Sequence, residues 1–354
     1  MKTFLRPLCL WLTIASLISP LLGQSVRELE LETSSNLNVW ESVTITPEMI
    51  SDTGRLIVPT NGSKQFYRMK VLMPPAGMAL IPAGAFTMGD SLDGLSDAPT
   101  RTVTLDAFYI GKYEVTKAEW DEVRTWGLNN GYTDLATGSG KADNHPVQSI
   151  SWYDMVKWCN ARSQKEGLTA VYYTNDEQTT IYKTGNVDAT NAQVMWSANG
   201  YRLPTEAEWE KAARGSLEGK RFSWGDTVSH SQANYKSSST LDYDLSGALN
   251  DFHPNYAAGA TPYTSPVGSF SVNGYGLYDM MGNVFEWCWD RYGSYDSLSE
   301  INPRGATSGS YRVFRGGNFD STAYYMRTAQ RNPANNSAGS SIGVGLRVAR
   351  SLVP

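Results

Sequence analysis

The sequence predicts an α+β fold: a loop-rich domain of short strands and short helices, preceded by a small β unit. Composition is the first observation, because 11 Trp, 20 Tyr and 32 Gly occur in 354 residues of which only 18% are charged. That load is typical of a compact domain pinned by aromatic side chains and unlike a helical bundle. Alternating strand patterns and capped helix starts are the second and third observations. The length suffices for one large domain and one small one.

The N-terminus predicts export. Lys2 and Arg6 precede an apolar run over residues 7–23, which ends in Gly23. A basic start, an apolar stretch of this length and a small final residue are typical of a secretory signal peptide, here residues 1–23. A membrane anchor is the alternative, but the run is short for a span and a proline interrupts it. No second apolar run follows, so we expect a secreted or periplasmic chain without stable membrane insertion after signal cleavage.

Residues 24–72 predict a small β unit. Apolar and polar residues alternate in four segments that are separated by turn residues: LELETSS, NLNVWESVTI, GRLIVP and KQFYRMKV. We expect three or four short strands, which form either an adhesive or spacing module or a cap on the larger domain. Residues 73–77 (MPPAG) predict an extended, proline-containing linker. Residues 78–350 then form the large domain.

The large domain begins with strand patterns and continues with helices. Two pairs of short strands are predicted within residues 78–89 and 101–115. N-capping residues mark the helix starts, two of them in capping boxes: Thr116 with Glu119, Ser151, and Thr205 with Glu208. Gly215 predicts the end of the third helix. Residues 162–200, between the second and third helices, predict an inserted loop or ribbon.

Residues 274–292 (GYGLYDMMGNVFEWCWDRY) form the most unusual stretch of the chain. They are too aromatic for a solvated loop and too polar for a plain core strand. The carboxylates of Asp279 and Glu286, with backbone oxygens near Gly282 and Val284, are spaced like the oxygen ligands of a calcium loop. The alternative is a buried aromatic turn whose carboxylates hold backbone amides and arginines. Spacing by itself leaves both interpretations open.

Eight motifs follow one another along the large domain: IPAGAFTMGD, YEVTKAEW, HPVQSISWYDMVKWCN, YRLPTEAEWEKAARG, FSWGD, NGYGLYDMMGNVFEW, FRGGNF and IGVGLRVAR. Together they resemble the formylglycine-generating enzyme family, also called sulfatase-modifying factors, over residues 78–350. The resemblance implies a compact α+β fold with little regular secondary structure, distantly related to C-type lectins. It also implies bound calcium and, in the family's enzymes, a copper-bound cysteine pair that oxidises a cysteine of a sulfatase.

The resemblance implies a calcium site in the acidic-aromatic stretch. It points to the side chains of Asp279 and Glu286 and to the carbonyl groups of Gly282 and Val284. Ligation by oxygen alone fits calcium rather than zinc. The resemblance therefore favours the calcium interpretation of this stretch over the structural one.

A second implied calcium site begins after the SWGD motif. Asn234 and Tyr235 match the first ligands of the family there. The remaining ligand should be an aspartate, but the loop that follows is longer than in the family's enzymes. Asp244 is the expected ligand, and Asp242 and Asp251 are the alternatives.

The residues that bind copper in the family's enzymes are missing from this chain. Residues 315–331 follow the family's RGG motif and contain no cysteine. Copper(I) needs soft thiolate ligands, which a hydroxyl group cannot replace, so copper is not expected. Beyond residue 23 the chain has two cysteines, Cys159 and Cys288, each beside a tryptophan. They form either a disulfide or two buried thiols, and only a distance can decide.

Other chemistries and partners lack sequence support. The three histidines form no zinc-binding motif, no G-x-S-x-G nucleophile motif occurs, and no G-x-G-x-x-G follows a strand. The chain has 35 acidic and 30 basic residues and no basic run. Nucleic-acid binding is therefore not expected.

The C-terminal part of the large domain is rich in arginine. Its arginines are Arg312, Arg315, Arg327, Arg331 and Arg347. They either line a groove for an acidic ligand or pair internally with Glu206, Glu208, Glu286 and Asp290.

Two function classes follow from these observations. The first is an exported, calcium-stabilised binding or recognition module without formylglycine oxidase activity, whose ligand is a protein, a peptide or a glycan. The alternative is a formylglycine-generating-type oxidoreductase that acts on a sulfatase cysteine. No catalytic residue is assigned.

Overall fold

The computed structural model describes residues 28–34, 41–43, 66–72, 74–95, 98–247, 249–295, 299–334 and 339–352. The chain divides into two compact units, residues 1–73 and 74–353. The division falls at the start of the proline-containing segment. The predicted signal peptide and the predicted strand GRLIVP lie outside the described residues. No helix in the described ranges is long and apolar enough to cross a lipid bilayer.

The described part of the first unit is a three-stranded antiparallel sheet. Its strands are β1 (Glu28–Ser34), β2 (Glu41–Val43) and β3 (Phe66–Leu72), in the order β2-β1-β3. β1 pairs with β3 along its whole length, from Glu28 opposite Leu72 to Ser34 opposite Phe66. The alternating sequence of these segments suits strands, because successive side chains point to opposite faces.

In the described part of the second unit, short strands are interspersed with three α-helices. The helices are α1 (Lys117–Leu128), α2 (Trp152–Lys165) and α3 (Glu206–Arg214). The strands are β4 (Met78–Ile81), β5 (Gly84–Met88), β6 (Arg101–Leu105), β7 (Phe108–Gly111), β8 (Tyr201–Arg202), β9 (Phe285–Arg291), β10 (Ser299–Ile301), β11 (Arg312–Arg315), β12 (Asn332–Ala334), β13 (Val344–Gly345) and β14 (Ala349–Ser351). This mixture confirms the predicted α+β class.

The strands of the second unit form three small sheets. Their orders are β10-β6-β5, β12-β11-β9-β13 and β4-β7-β14-β8. Only the β10–β6 and β13–β9 pairs of these sheets are parallel. Because β14 pairs with β7 and β8, the end of the domain is hydrogen-bonded to its beginning.

The second unit has two apolar cores, and successive side chains of strand β9 point into one core and then the other. Trp287 and Trp289 of β9 belong to a first core, which includes Trp152 of α2. Cys288, on the other face of β9, belongs to a second core, which includes Trp209 of α3. Because β9 is the second half of the acidic-aromatic stretch, this stretch contributes side chains to both cores.

The predicted helix starts after Thr116, Ser151 and Thr205, and the predicted helix end at Gly215, are confirmed. In α3, Thr205 Oγ1 accepts a hydrogen bond from the Glu208 N–H at 3.2 Å, and the Glu208 carboxylate accepts one from the Thr205 N–H at 2.8 Å. Gly215 ends this helix in a left-handed conformation at φ 56°, which glycine adopts without strain. Every residue of α3 is buried. Its charged side chains must therefore find partners inside the protein.

Two segments differ from the sequence prediction. The second half of the acidic-aromatic stretch is strand β9, which is buried on both faces and whose acidic side chains have internal partners. The composition of residues 332–336 (NPANN) predicts a surface loop, yet Asn332–Ala334 form β12. β12 lies at the edge of its sheet, where Pro333 can be tolerated because an edge strand need not use every N–H group.

Candidate functional site

The acidic-aromatic stretch begins with a turn in the interior of the domain. Asp279 and Asn283 have φ values of 53° and 59°, a left-handed conformation that Asp and Asn adopt more readily than other residues with a Cβ atom. Gly282, at φ 83°, donates its N–H to the Gly316 carbonyl. A Cβ atom at this glycine would lie 2.4 Å from the carbonyl oxygen of Asn234. The turn is thus packed against residue 234, and its geometry requires glycine at position 282.

This turn brings three buried carboxylates together. Glu114 is fully buried, and its Oε2 accepts a hydrogen bond from Asn283 Nδ2 at 2.8 Å. Its Oε1 accepts one from the Val284 N–H at 3.3 Å. Asp279 and Glu286 are close enough to raise the pKa of Glu114 further above the level that burial imposes. Sequence reasoning missed Glu114, because it belongs to the distant YEVTKAEW motif and only the fold brings it to the turn.

Glu286 already binds internal donors. Arg347 donates to both of its carboxylate oxygens at distances of 2.7 to 3.0 Å, and Trp209 Nε1 donates to Oε2 at 2.6 Å. Arg347 also donates to the carbonyl groups of Gly111 and Tyr278. The guanidinium group therefore ties β9 to the end of β7 and to the turn.

Asp279 has a carboxylate oxygen without a partner. Its Oδ2 accepts a hydrogen bond from the Gly268 N–H at 2.5 Å, whereas its buried Oδ1 has none. Burial raises the pKa of Asp279 to about 6, opposed by the Gly268 hydrogen bond and by Arg347. Together with Glu114 and Glu286, it makes three acidic groups around one guanidinium. A bound cation would balance the excess negative charge that burial makes costly.

The second set of predicted calcium ligands forms a hydrogen-bond network. Tyr235 Oη donates to Asp244 Oδ1, and the Ser246 N–H donates to the same oxygen at 3.0 Å. The Ser238 N–H donates to Asp244 Oδ2 at 2.7 Å. Asn234 instead pairs with the acidic-aromatic turn through an isolated β-bridge. The structure thus brings Tyr235 and Asp244 together and uses both oxygens of the carboxylate.

The two predicted metal sites therefore differ in their fit to a cation. Among the described residues, no group of three or more His, Cys, Asp or Glu side chains has a geometry that could hold a metal ion. At the first site, Asp279 Oδ1 is a buried acceptor that suits a hard cation such as calcium. At the second site, the Asp244 carboxylate is satisfied by protein donors. Calcium binding at either place stays a prediction.

The arginines of the C-terminal segment pair inside the protein. The ion pairs join Arg312 to Asp188, Arg315 to Glu210, Arg331 to Glu206 and Arg347 to Glu286. This is the internal alternative of the sequence analysis, although two of its partners differ. Glu208 pairs with Arg202, and Asp290 accepts a hydrogen bond from the Glu206 N–H at 2.7 Å. Because these arginines are buried and paired with carboxylates, their guanidinium groups serve as internal contacts.

The two cysteines are free thiols in separate cores. Cys159 lies on α2 in the first core, and Cys288 lies on β9 in the second. Burial raises the pKa of Cys159 to about 12 and also raises the pKa of Cys288. Of the two alternatives that the sequence left open, the structure therefore has buried thiols and no disulfide.

Residues 64–352 match the family described as "Sulfatase-modifying factor enzyme 1-like domain". The chain belongs to this family. The matched range includes β3.

Family relatives carry several names. The chain is 34% identical over 282 residues to "Chaperone protein LppX" of Paenibacillus barcinonensis, which covers 77% of this chain and 89% of the relative. It is 33% identical over 301 residues to the formylglycine-generating enzyme of Bos taurus, covering 79% and 76% of the two chains. It is 40% identical over 287 residues to "Serine/threonine-protein kinase pkn1" of Chlamydia caviae, covering 78% of this chain and only 38% of the kinase.

Solved structures that are similar to this chain agree with the predicted fold. "Treponema denticola variable protein 1" has a TM-score of 0.58 and 28% identity, covering 82% of this chain and 97% of that one. PvdO from Pseudomonas aeruginosa has a TM-score of 0.55 and 26% identity, covering 78% and 94%. These similarities confirm a formylglycine-generating-enzyme-like domain, the C-type-lectin-related fold that the motifs implied.

Proposed function

We propose that this family member is an exported, calcium-stabilised binding or recognition module without formylglycine oxidase activity. The observation that supports this most is the chemistry of residues 315–331. The segment contains no cysteine, and copper(I) oxidation chemistry needs thiolate ligands. Its arginines are bound to protein carboxylates and carbonyl groups, so they are committed to holding the segment in place.

The cysteines elsewhere in the domain give no substitute for the missing pair. Cys159 and Cys288 lie in different cores and are fully buried. Their raised pKa values keep them as thiols at neutral pH, whereas metal ligation and nucleophilic attack need the thiolate. This supports a binding role for the domain.

Family membership does not establish whether the domain binds a ligand or catalyses a reaction, because proteins with the same fold have many different functions. The names of the relatives include a chaperone, a kinase and a formylglycine-generating enzyme. The enzyme name on a relative at 33% identity favours the second candidate function, oxidation of a sulfatase cysteine.

The oxidase question has a direct test. The purified chain, supplied with copper(I) and oxygen, is incubated with a peptide that contains a sulfatase-type CxPxR sequence. We expect no conversion of the peptide cysteine to an aldehyde, because residues 315–331 offer no thiolate. Mass spectrometry of the peptide is the measurement, and a formylglycine-generating enzyme serves as the positive control. Repeated turnover above the copper-only background would establish the alternative function.

Calcium binding is tested through stability. We expect chelation with EDTA to lower the melting temperature by several degrees, because an ion present at about 100 times its Kd contributes about 2.7 kcal/mol to the folded state. Asp279→Asn should abolish this sensitivity. Asparagine tolerates the left-handed backbone at this position, but it removes the charge that faces the ion.

Asp290→Asn is the matched control for the chelation experiment. Burial and the nearby Glu206 raise the pKa of Asp290 to about 8, so its carboxyl group is largely protonated at pH 7 and asparagine resembles it. This variant should respond to EDTA like the wild type. Glu286→Ala is less informative, since it would remove the carboxylate that forms the ion pair with the buried Arg347 guanidinium and so destabilise the protein in any case. An unchanged wild-type melting temperature after chelation would refute the calcium assignment.

A further inference from the structure

A row of three aromatic rings lies beside the segment that replaces the family's oxidase residues. The ring centroids of Phe252 and Tyr263 are 4.9 Å apart, and those of Tyr263 and Phe319 are 6.2 Å apart. Both contacts are edge-to-face. Phe319 is buried, whereas Phe252 and Tyr263 are half-buried, so the row reaches from the interior to the surface. We call these three residues the aromatic ledge.

At one end of the ledge, Lys236 and Asp320 form an ion pair. Lys236 Nζ lies 5.0 Å from the ring centroid of Phe252 and forms an ion pair with Asp320 at 3.1 Å. Asp320 directly follows Phe319 in the chain. Donor and acceptor groups are therefore available beside the rings without a net charge.

The other end of the ledge carries the positive charge of Lys141. Lys141 Nζ lies 5.9 Å from the ring centroid of Tyr263 and donates to the carbonyl groups of Tyr256 and Ala258 at 2.9 and 3.3 Å. In the described part of the chain it has no ion-pair partner. An ammonium group has three N–H donors, so one donor remains for a ligand. The pKa of His145 is lowered mainly by burial and, to a smaller extent, by the positive charge of Lys141.

We propose that the aromatic ledge binds an acidic saccharide. The C–H groups on one face of a sugar ring are slightly positive and pack against the negative face of an aromatic ring. Tyr263 and Phe252 supply such faces, and the Lys141 ammonium pairs with the sugar carboxylate through a charge-assisted hydrogen bond. Lys236 and Asp320 bind sugar hydroxyl groups. Aromatic rings with a few placed polar groups are the usual make-up of a small-ligand site.

This assignment rests on the proposed function as a binding module and names the chemical class of its ligand. The positive charge of Lys141 distinguishes an acidic sugar from a neutral one.

The test compares acidic saccharides with neutral counterparts by isothermal titration calorimetry on the full chain. Trigalacturonic acid is paired with its methyl ester, which keeps the rings and removes the charges. Sialyllactose is paired with lactose. We expect at least one acidic saccharide to bind and its neutral counterpart to bind at least about tenfold more weakly, a difference of about 1.4 kcal/mol.

Lys141→Ala should weaken binding of the acidic saccharide about tenfold. Lys183→Ala is the matched control, because Lys183 makes the same kinds of contact elsewhere: its Nζ lies 5.1 Å from the ring centroid of Tyr132 and donates to the Asn130 carbonyl at 3.0 Å. The control should bind like the wild type. Equal affinities of the two lysine variants would overturn the proposal.

The ring contribution is tested at Tyr263. Tyr263→Phe keeps the ring and should retain binding, whereas Tyr263→Leu should lose it. Melting curves establish whether both variants are folded, and the lysine pair decides if the leucine variant is not. Failure of both acidic saccharides to bind would overturn the ledge assignment and leave the non-oxidase function standing. Oxidation of the CxPxR peptide would instead refute the proposed function.

Discussion

At the residue scale, two neutral histidines hold the loop before the acidic-aromatic stretch. His253 Nε2 donates to the His230 carbonyl at 2.7 Å, and its Nδ1 accepts from the Asn255 N–H at 3.2 Å. His230 Nε2 donates to the Tyr235 carbonyl at 3.1 Å, and the two imidazole centroids are 5.0 Å apart. Burial lowers the pKa of both histidines. A proton added to His253 would also displace the hydrogen bond from Asn255.

This arrangement predicts a loss of stability in acid. A histidine whose pKa is lower in the folded state binds its proton more readily in the unfolded state, so its contribution to stability falls as pH drops below about 6.5. Asp290, whose pKa is raised in the folded protein, acts in the opposite direction. A comparison of variants is therefore needed, since the effect of Asp290 cancels in the difference.

His253→Gln isolates the contribution of one histidine. Glutamine can still donate to the His230 carbonyl but does not titrate. Between pH 6.5 and 5, we expect the wild type to lose up to about 1.4 kcal/mol per pH unit relative to this variant. Urea unfolding at several pH values measures the difference. Parallel pH profiles for the two proteins would show that His253 is not neutral and buried as the structure has it.

At the element scale, the turn before β9 depends on glycines in two different ways. Gly276 and Gly282 both have positive φ, at 76° and 83°. A Cβ atom at Gly276 would meet nothing within 4 Å, whereas one at Gly282 would collide with the backbone of Asn234. The first glycine relieves backbone strain only. The second also permits the contact that positions the predicted calcium ligands.

The pair Gly276→Ala and Gly282→Ala separates these two effects. We expect Gly276→Ala to cost about 1–2 kcal/mol for a left-handed alanine. Gly282→Ala should cost clearly more, because the backbone must also move away from Asn234. Urea denaturation gives both values, and equal losses would contradict the close approach at Gly282.

At the scale of the whole molecule, the two cores of the second unit share their strands. β9 sends Trp287 and Trp289 into the first core and Cys288 into the second. Strand β4, which belongs to another sheet, does the same, with Leu80 in the first core and Ala79 in the second. Neither core can lose its packing without disturbing a strand that the other one uses. Cooperative unfolding of the unit should follow.

The buried thiols report on this cooperativity. In a Cys9→Ser chain, Cys288→Ala leaves Cys159 as the probe of the first core, and Cys159→Ala leaves Cys288 as the probe of the second. We expect both thiols to resist an aromatic disulfide reagent in the native protein. Both should become reactive at the urea concentration at which tryptophan fluorescence changes. Reaction of one thiol at a lower concentration would show that the cores unfold separately.

Several features were determined by the sequence itself, because they depend on local chemistry. Capping residues at Thr116, Ser151 and Thr205 define helix starts through contacts within one turn. Ordered motifs define the family, and the absence of cysteine from residues 315–331 weakens the case for its copper chemistry. The acidic-aromatic stretch was also recognised as unusual from its composition.

The tertiary structure decided how distant charges and rings meet. Only the fold places Glu114 beside Asn283, pairs Glu286 with Arg347 and leaves Asp279 Oδ1 without a donor. The same holds for strand β9, since burial on both faces obscures the simple alternation of apolar and polar residues. Local propensity acts over a few residues, whereas the free energy of a buried charge depends on groups that the chain brings together from far apart. The sequence therefore identified the stretch that contains the candidate site, whereas the fold determined which residues contact its carboxylates.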